Sequence, residues 1–402
     1  MLLKVSCKLN NFLSIKHGIK KYYSVLASVL EKPELGENVE IKGWVKSLRV
    51  QKELVFADVS DGSCAQKLQV TIPKHLKTND LTYGSAVNIT GKLARSPRGQ
   101  IELLAENVKI YGKCVVLDGY PFNPRTSHPP EYLRRYLHLR SRTNYISAML
   151  RIRHSVTQLI HKYFSSKNYI NIHTPIITSN DCEGAGEIFK VLPDNEETVK
   201  SMMQQGLNSE TVYFGSKAFL TVSGQLHLEA VCRGMGNVYT FGPTFRAENS
   251  KSRLHLSEFY MLEGELAFCE TLEHLQNIIE DFLKFILTEI RNSNEKDLNL
   301  IDKNNTTPTW LNKQFITLNY DEAKNILDKK GMNTAEVGIN KEQELALVDY
   351  CNGVPVFIVR KFGNIPTGGF GLGLERLLQV ICAIPNIKDT LPFPRWPHNC
   401  SM

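Results

Sequence analysis

At 402 residues the chain has room for two or three domains and a sizeable buried core. Hydrophobic residues at 42% and charged residues at 22% are ordinary for a globular protein, and no apolar run reaches the roughly 18 residues that a membrane helix needs. Forty-eight Lys and Arg against 41 Asp and Glu leave a net charge of +7, which suits a nucleic-acid partner without requiring one. Nine cysteines are scattered from Cys7 to Cys400 with no C-x-x-C pair, so neither a zinc site nor a disulfide framework is indicated.

The first thirty residues carry Lys4, Lys8, Lys16, Lys20 and Lys21, and the first acidic residue is Glu31. A basic, acid-free, weakly amphipathic start has the composition of a mitochondrial transit peptide, so residues 1–30 are expected to be one, with the mitochondrial matrix as destination. A basic tail that adds phosphate affinity to a cytoplasmic protein is the alternative.

Residues 38–115 read as five short strands. Val39–Val45 alternates, Leu54–Val59 runs into the turn Ser60-Asp-Gly-Ser63, and Leu68–Ile72, Ala86–Thr90 and Gln100–Leu104 follow. Five strands in so short a span suggest a small all-β barrel of OB-fold type; strand counting also fits a small sandwich. Residues 116–145 are proline-dense at Pro121, Pro124, Pro129 and Pro130 and read as a hinge. The basic run Arg134–Arg142 that follows reads as a solvated face, or as a contact for RNA phosphates.

From 146 to 402 helices and strands mix without a βαβ rhythm, which makes the larger domain α+β. Ile152, Val156, Leu159, Ile160 and Tyr163 fall on one helix face. A strand at Tyr169–Thr174 stops at Pro175. A strand–loop–strand is expected at 238–268, a helix near 273–290, a polar linker near 292–308, and a Gly-rich strand leading into a helix at 368–384.

Two stretches carry the chemistry. In Thr244-Phe-Arg-Ala-Glu-Asn-Ser250, Arg246 and Glu248 share a strand face. The arginine offers a rigid fork for phosphate or carboxylate oxygens, and the glutamate can accept from an amine or amide. A polar loop leads to His255-Leu-Ser-Glu-Phe259, where Phe259 is a platform for a purine. A strand-face ion pair with Phe259 in the core is the structural alternative. In Gly368-Gly-Phe-Gly-Leu-Gly-Leu-Glu-Arg376, the alternating Gly369, Gly371 and Gly373 leave one strand face as bare backbone on which a ligand can lie. Arg376 then stands at a strand-to-helix junction, placed for a terminal phosphate. The usual nucleotide signatures, G-x-x-x-x-G-K-[ST] and G-x-G-x-x-G, are missing.

These two stretches resemble motifs 2 and 3 of the class II aminoacyl-tRNA synthetases, and the helix and strand ending at Pro175 resemble motif 1. The order of motifs, with a barrel ahead of them, is similar to the aspartate/asparagine/lysine subgroup. Within it, Arg246–Ser250, Arg253–Phe259 and the loop Asn180–Glu187 resemble the asparaginyl form. So does Leu228, which follows Ser223-Gly-Gln225 where aspartate enzymes carry a lysine; a neutral amide needs no such cation.

The resemblance implies a class II antiparallel-sheet catalytic domain behind an OB-fold anticodon-binding domain. It implies ATP and Mg²⁺, asparagine and tRNA(Asn) as partners, and a homodimer with Pro175 at its interface. Arg246 would bind the α-phosphate and the amino-acid carboxylate. Glu248 would read the substrate amide or the tRNA 3′ end. His255 and Arg376 would hold the outer phosphates, with Phe259 against adenine and Gly371 and Gly373 beneath the nucleotide. Glu183, Ser223 and Gln225 would hold the α-ammonium, and Phe56 and Gln69 would touch anticodon bases, unless Phe56 is barrel core.

One departure stands out. Val354–Val359 runs directly into Arg360-Lys-Phe-Gly363 and motif 3, where the family has a long segment bearing sheet strands, Mg²⁺-binding acids and a side-chain-reading arginine. A shortened form is therefore expected, weak as an enzyme but able to bind tRNA. A non-catalytic tRNA-binding protein and an aspartyl-tRNA synthetase are the rival readings.

Overall fold

The computed structural model describes residues 24–115, 118–123, 126–180, 187–302, 307–332, 339–359 and 367–401. The chain divides into two compact units, Met1–Thr126 and Ser127–Met402.

In the first unit a short helix α1 (Leu26–Glu31) precedes β1 (Asn38–Val50), β2 (Leu54–Ser60), β3 (Leu68–Pro73), β4 (Ala86–Arg95) and β5 (Ile101–Gly112). The strands close into a barrel in the order β1-β2-β3-β5-β4, antiparallel except for the β3–β5 pair. Alternation decides what faces inward: Ile41, Val55, Ala57, Val70 and Ile89 are fully buried, while the residues between them reach the outer surface. At the register shift between Thr90 and Gly91, a Cβ on Gly91 would lie 2.1 Å from the Leu104 carbonyl oxygen, so only glycine fits. This closed five-stranded barrel excludes the sandwich.

The second unit opens with α2 (Pro130–Leu133), α3 (Leu137–Arg140) and α4 (Asn144–Ser166), so the latter part of the expected hinge is helical and belongs to this unit. Thr143 caps α4 through its hydroxyl. Ile152, Val156, Ile160 and Tyr163 are buried as their spacing demands, with Leu159 only partly so. Next come β6 (Ile170–Asn171), β7 (Ile177–Thr178), α5 (Glu196–Ser201), β8 (Phe219–Leu220), α6 (Gln225–Met235), β9 (Asn237–Phe245), β10 (Glu258–Ala267) and α7 (Leu272–Ile301). The expected six-residue strand at 169–174 is cut to two residues in β6, parallel to β9.

Helix α7 overruns the expected linker. It kinks at Asn294 and continues, because Leu298 and Asp297 are buried and Asp297 is paired with Arg151 of α4 at 2.7 Å. Then β11 (Ile316–Asn319), α8 (Tyr320–Lys329), α9 (Lys341–Tyr350) and β12 (Val356–Val359) form a small parallel unit, a local βααβ crossover that hydrophobic patterning alone did not reveal. Both of its helices start with capping boxes, at Asn319/Glu322 and Asn340/Gln343. Finally β13 (Thr367–Gly373) runs into α10 (Leu374–Cys382).

The main sheet has the order β13-β10-β9-β6, with β9–β10 and β10–β13 antiparallel. One face carries Tyr239, Leu262 and Leu266 into a core shared with α4, α7 and α10. The other carries Phe259, Met261, Glu263 and Glu265, opposite Gly373, Gly371 and Gly369.

Candidate functional site

Strands β9 and β10 are neighbours, and the loop between them folds back over their ends. Arg246 leaves β9 with its amide bonded to the Ser257 carbonyl at 3.0 Å. Glu248 follows two residues on and lies between two side chains: Arg246 Nη1 is 3.8 Å from one carboxylate oxygen, and His255 Nε2 is 3.4 Å from the other. The Arg246 guanidinium stands 5.7 Å from the centre of the Phe259 ring. Phe259 is half-buried against Leu256, Ile387 and Leu391, and presents one side to the site. Across it, β13 contributes Gly371 and Gly373, and the first turn of α10 contributes exposed Arg376. A cavity of about 160 Å³ lies between them. Every residue assigned from sequence to nucleotide binding lines it.

The glycine face is not uniformly bare. A Cβ on Gly371 would crowd the Met261 sulfur at 3.3 Å, while one on Gly373 would only just reach Phe259 at 4.0 Å, so room for a side chain exists at Gly373 and not at Gly371. A Cβ on Gly369 would meet the Glu265 carboxylate at 1.9 Å. There the glycine accommodates a buried acid rather than a ligand.

That acid belongs to a pair. Glu263 and Glu265 are 6% and 3% exposed, two residues apart on one face of β10. Glu263 accepts from the Ser223 hydroxyl and from the Gly224 amide, the latter at 2.8 Å. Glu265 is pushed up to about 7 by burial, and by the charges of Glu229 and Glu263. The sequence reading missed both residues. Their signal is the two-residue step from Phe259 through Met261, which puts them on the site face once β10 is placed.

Ser223 therefore lies against Glu263 on the site face of the sheet. Gln225 does not: its side chain turns along α6 and donates to Glu229 at 2.8 Å, in the solvent. Leu228 is buried with Cys232 and Val238, and Val238 is opposite Glu265 across the strands. Glu183 lies outside the described residues. Pro175 is exposed, and so are Ile170, Ile176 and Ile177 near it. Among the described residues no cluster of three or more acidic, His or Cys side chains could hold a metal. The carboxylates lining the cavity, Glu248 and Glu375, are both engaged by cations. These residues do not fit a Mg²⁺ site.

The basic run Arg134–Arg142 is only in part a solvated face: Arg135 and His138 are exposed, but two arginines are not. Arg140 is 1% exposed, and Arg134 is largely buried. Both turn inward to Asp389, Arg134 Nη1 at 2.6 Å and Arg140 Nη1 at 3.8 Å.

On the barrel, Phe56 points outward between buried Val55 and Ala57, which excludes the core alternative. The Arg49 guanidinium stands 5.1 Å from its ring centre. Gln69 donates to Glu102 at 3.0 Å, and Thr71, the cross-strand partner of Phe56, donates to the same oxygen at 2.8 Å. Arg49, Phe56, Gln69 and Glu102 thus form one outer patch. Glu102 was invisible in sequence, because its place beside Gln69 depends on the parallel β3–β5 pairing.

Known proteins agree with this arrangement. A family model described as class II tRNA synthetases (D, K and N) matches residues 129–360 and 356–397, two parts that overlap at 356–360. A model for the OB-fold nucleic-acid-binding domain matches 39–111. The human asparaginyl-tRNA synthetase is 36% identical, covering 96% of this chain and 95% of its own, over an alignment of 465 residues against the 402 available here. A probable mitochondrial asparagine–tRNA ligase of Dictyostelium discoideum is 34% identical over 95% of this chain and 99% of its own. The asparaginyl-tRNA synthetase of Pyrococcus horikoshii, solved with asparaginyl-adenylate, superposes with a TM-score of 0.79 at 22% identity, covering 95% of this chain and all of that one. With both domain models in place and relatives matched over nearly the whole chain, this protein belongs to the asparaginyl-tRNA synthetases, the class II asparagine–tRNA ligases.

Proposed function

We propose that the cavity beside Arg246 binds ATP, and that the buried acids of β10 face the substrate asparagine. What carries the reading is the convergence of Arg246, His255, Phe259 and Arg376 on one small cavity over the open backbone of Gly371 and Gly373. Arg246 and His255 on one wall and Arg376 on another can donate to phosphate oxygens, an arrangement suited to a polyphosphate with its base on Phe259. No side chain need act as nucleophile. The asparagine carboxylate attacks the α-phosphorus, displacing pyrophosphate, and a ribose hydroxyl at the tRNA 3′ end then attacks the adenylate carbonyl and displaces AMP. Catalysis is positioning and charge neutralisation. Glu263 and Glu265 can accept from ammonium or amide groups and repel a carboxylate, which favours asparagine over aspartate.

The barrel patch around Phe56 and Gln69 serves the anticodon, and exposed Pro175 with its apolar neighbours serves a homodimer. We also propose that the chain lacks a family segment between 359 and 360. The split match at 356–360 and the long alignment with the human relative support this. The acids expected to bind Mg²⁺ go with that segment, so this form activates asparagine weakly while retaining tRNA affinity.

Asparagine-dependent ATP–pyrophosphate exchange tests the reading, on this chain and on one carrying a relative's segment. Restoration should raise exchange at least about tenfold, since each 1.4 kcal/mol of transition-state stabilisation is a factor of ten. Arg376→Ala should then abolish most of the gain. Equal rates in the two forms would remove the shortened-form reading, and equal use of aspartate would remove the assignment of the acids.

A further inference from the structure

We propose that Asp389, clasped by Arg134 and Arg140, and its neighbour Lys388 form a latch that positions the β9–β10 loop. Residues 386–395 follow α10 and touch that loop at both ends. The Ile387 amide donates to the Arg253 carbonyl at 2.9 Å. Lys388 Nζ reaches the carbonyls of Lys251 and Ser252 at 3.2 and 3.3 Å. At the far end the Ser257 amide donates to the Arg395 carbonyl at 2.8 Å, and the Ser257 carbonyl receives the Arg246 amide. His255 lies between these anchor points. So the loop that bears one proposed phosphate-binding side chain, and borders another, hangs from this strap.

The strap is itself fixed from the first helices of the unit. Asp389 is 2% exposed, and both of its oxygens lie within 2.7 Å of Arg134 Nη1. Arg140 Nη2 donates to the Leu391 and Pro392 carbonyls at 2.6 and 2.9 Å. Arg153 donates to the Thr390 carbonyl at 3.3 Å and pairs with Glu375 at 2.8 Å, while Glu375 also accepts the Tyr260 amide. Buried arginines aimed at successive carbonyls make a rigid seat, because each unmet partner would be a costly buried polar group. Of the strap and its seat only Ile387 and Glu375 line the cavity; Lys388, Asp389, Arg134 and Arg140 do not, so those four act on ligand only through the loop and the strap.

The inference rests on the nucleotide reading of the cavity for its consequence, but not for its mechanics. Hydrogen exchange of the whole chain separates the two, with ATP affinity measured alongside. Lys388→Met keeps an unbranched stem and removes the grip on Lys251 and Ser252, together with the ammonium that stands 5.1 Å from the centre of the Trp396 ring. Asp389→Asn removes the clasped charge. In both variants amides 249–256 should exchange at least about tenfold faster, while those of β9 and β10 stay as protected as before. ATP should bind roughly ten- to a hundred-fold more weakly, the scale of a misplaced contact group. If Asp389→Asn fails to fold, Lys388→Met decides. Unchanged loop exchange in Lys388→Met, or loop exchange that rises only together with that of β9 and β10, overturns the latch. Faster loop exchange in a protein whose wild type binds no ATP supports the latch and overturns the nucleotide reading.

Discussion

Glu265, proposed above to face the substrate, is a carboxyl group whose burial opposes stability. It is buried beside two other acids, and among the described residues no cation pairs with it. Folding holds its proton up to about pH 7, whereas an unfolded chain releases it near the ordinary value of 4.5. Between those pH values the folded state binds more protons than the unfolded one, so stability falls as pH rises through that window. Above pH 7 the ionised group costs about 3 kcal/mol of stability. Glu265→Gln should therefore raise the urea midpoint at pH 8 and leave it nearly unchanged at pH 5. Parallel pH profiles for variant and wild type would count against the buried charge. Arg246, Glu248, His255, Phe259 and Arg376 were legible in sequence because each sits within a few residues of its partners. Glu263, Glu265 and Glu102 were not, since their meaning depends on which strand lies beside them.

At the scale of elements, alternation and helical spacing recovered the barrel strands, α4, β9, β10 and β13 with α10, all long enough for their pattern to show. The failures have one cause: partners distant in sequence override local composition. Polar residues near 294–297 read as linker, yet Arg151 turns them into a continuation of α7. The run at 134–142 read as surface, yet Asp389 draws two of its arginines inward. Gly369 read as a ligand platform, yet Glu265 fills it. Strand β2 gave the opposite result, because its inward residues Val55, Ala57 and Val59 leave Phe56 no place but the surface. An aromatic presented there with Arg49 on its face can stack on an unpaired base, an interaction worth about 1–3 kcal/mol. Phe56→Ala should weaken tRNA binding about tenfold or more in a filter-binding assay while leaving the barrel's thermal transition in place. Loss of that transition would mean that the ring supports the fold instead.

At the scale of the whole molecule, two units carry two tasks, and the family assignment covers both. The basic start is a separate matter. Its residues 1–23 lie outside the described structure, and the relatives include a protein named as mitochondrial as well as others without that label. Composition favours import, since five lysines precede the first acid. A fluorescent reporter carrying residues 1–30 should accumulate in mitochondria, and a diffuse cytosolic signal would favour the basic-tail alternative. No helix among the described residues is long and apolar enough to cross a membrane.

The strap of residues 386–395 also sets a timetable. Arg134 and Asp389 are 255 positions apart, and Arg140 finds its carbonyl at Leu391 after a gap of 251. A nascent chain that has already made α2 and α3 must wait through most of the unit's synthesis before Arg134 and Arg140 can meet Asp389. Closing so large a loop is slow, and its entropy is lost before the contacts repay it. During that interval the guanidinium groups must stay hydrated, which keeps the helices from docking early in a wrong place. The cavity proposed for the nucleotide, which Ile387 helps to line, therefore cannot be completed until the strap has been made.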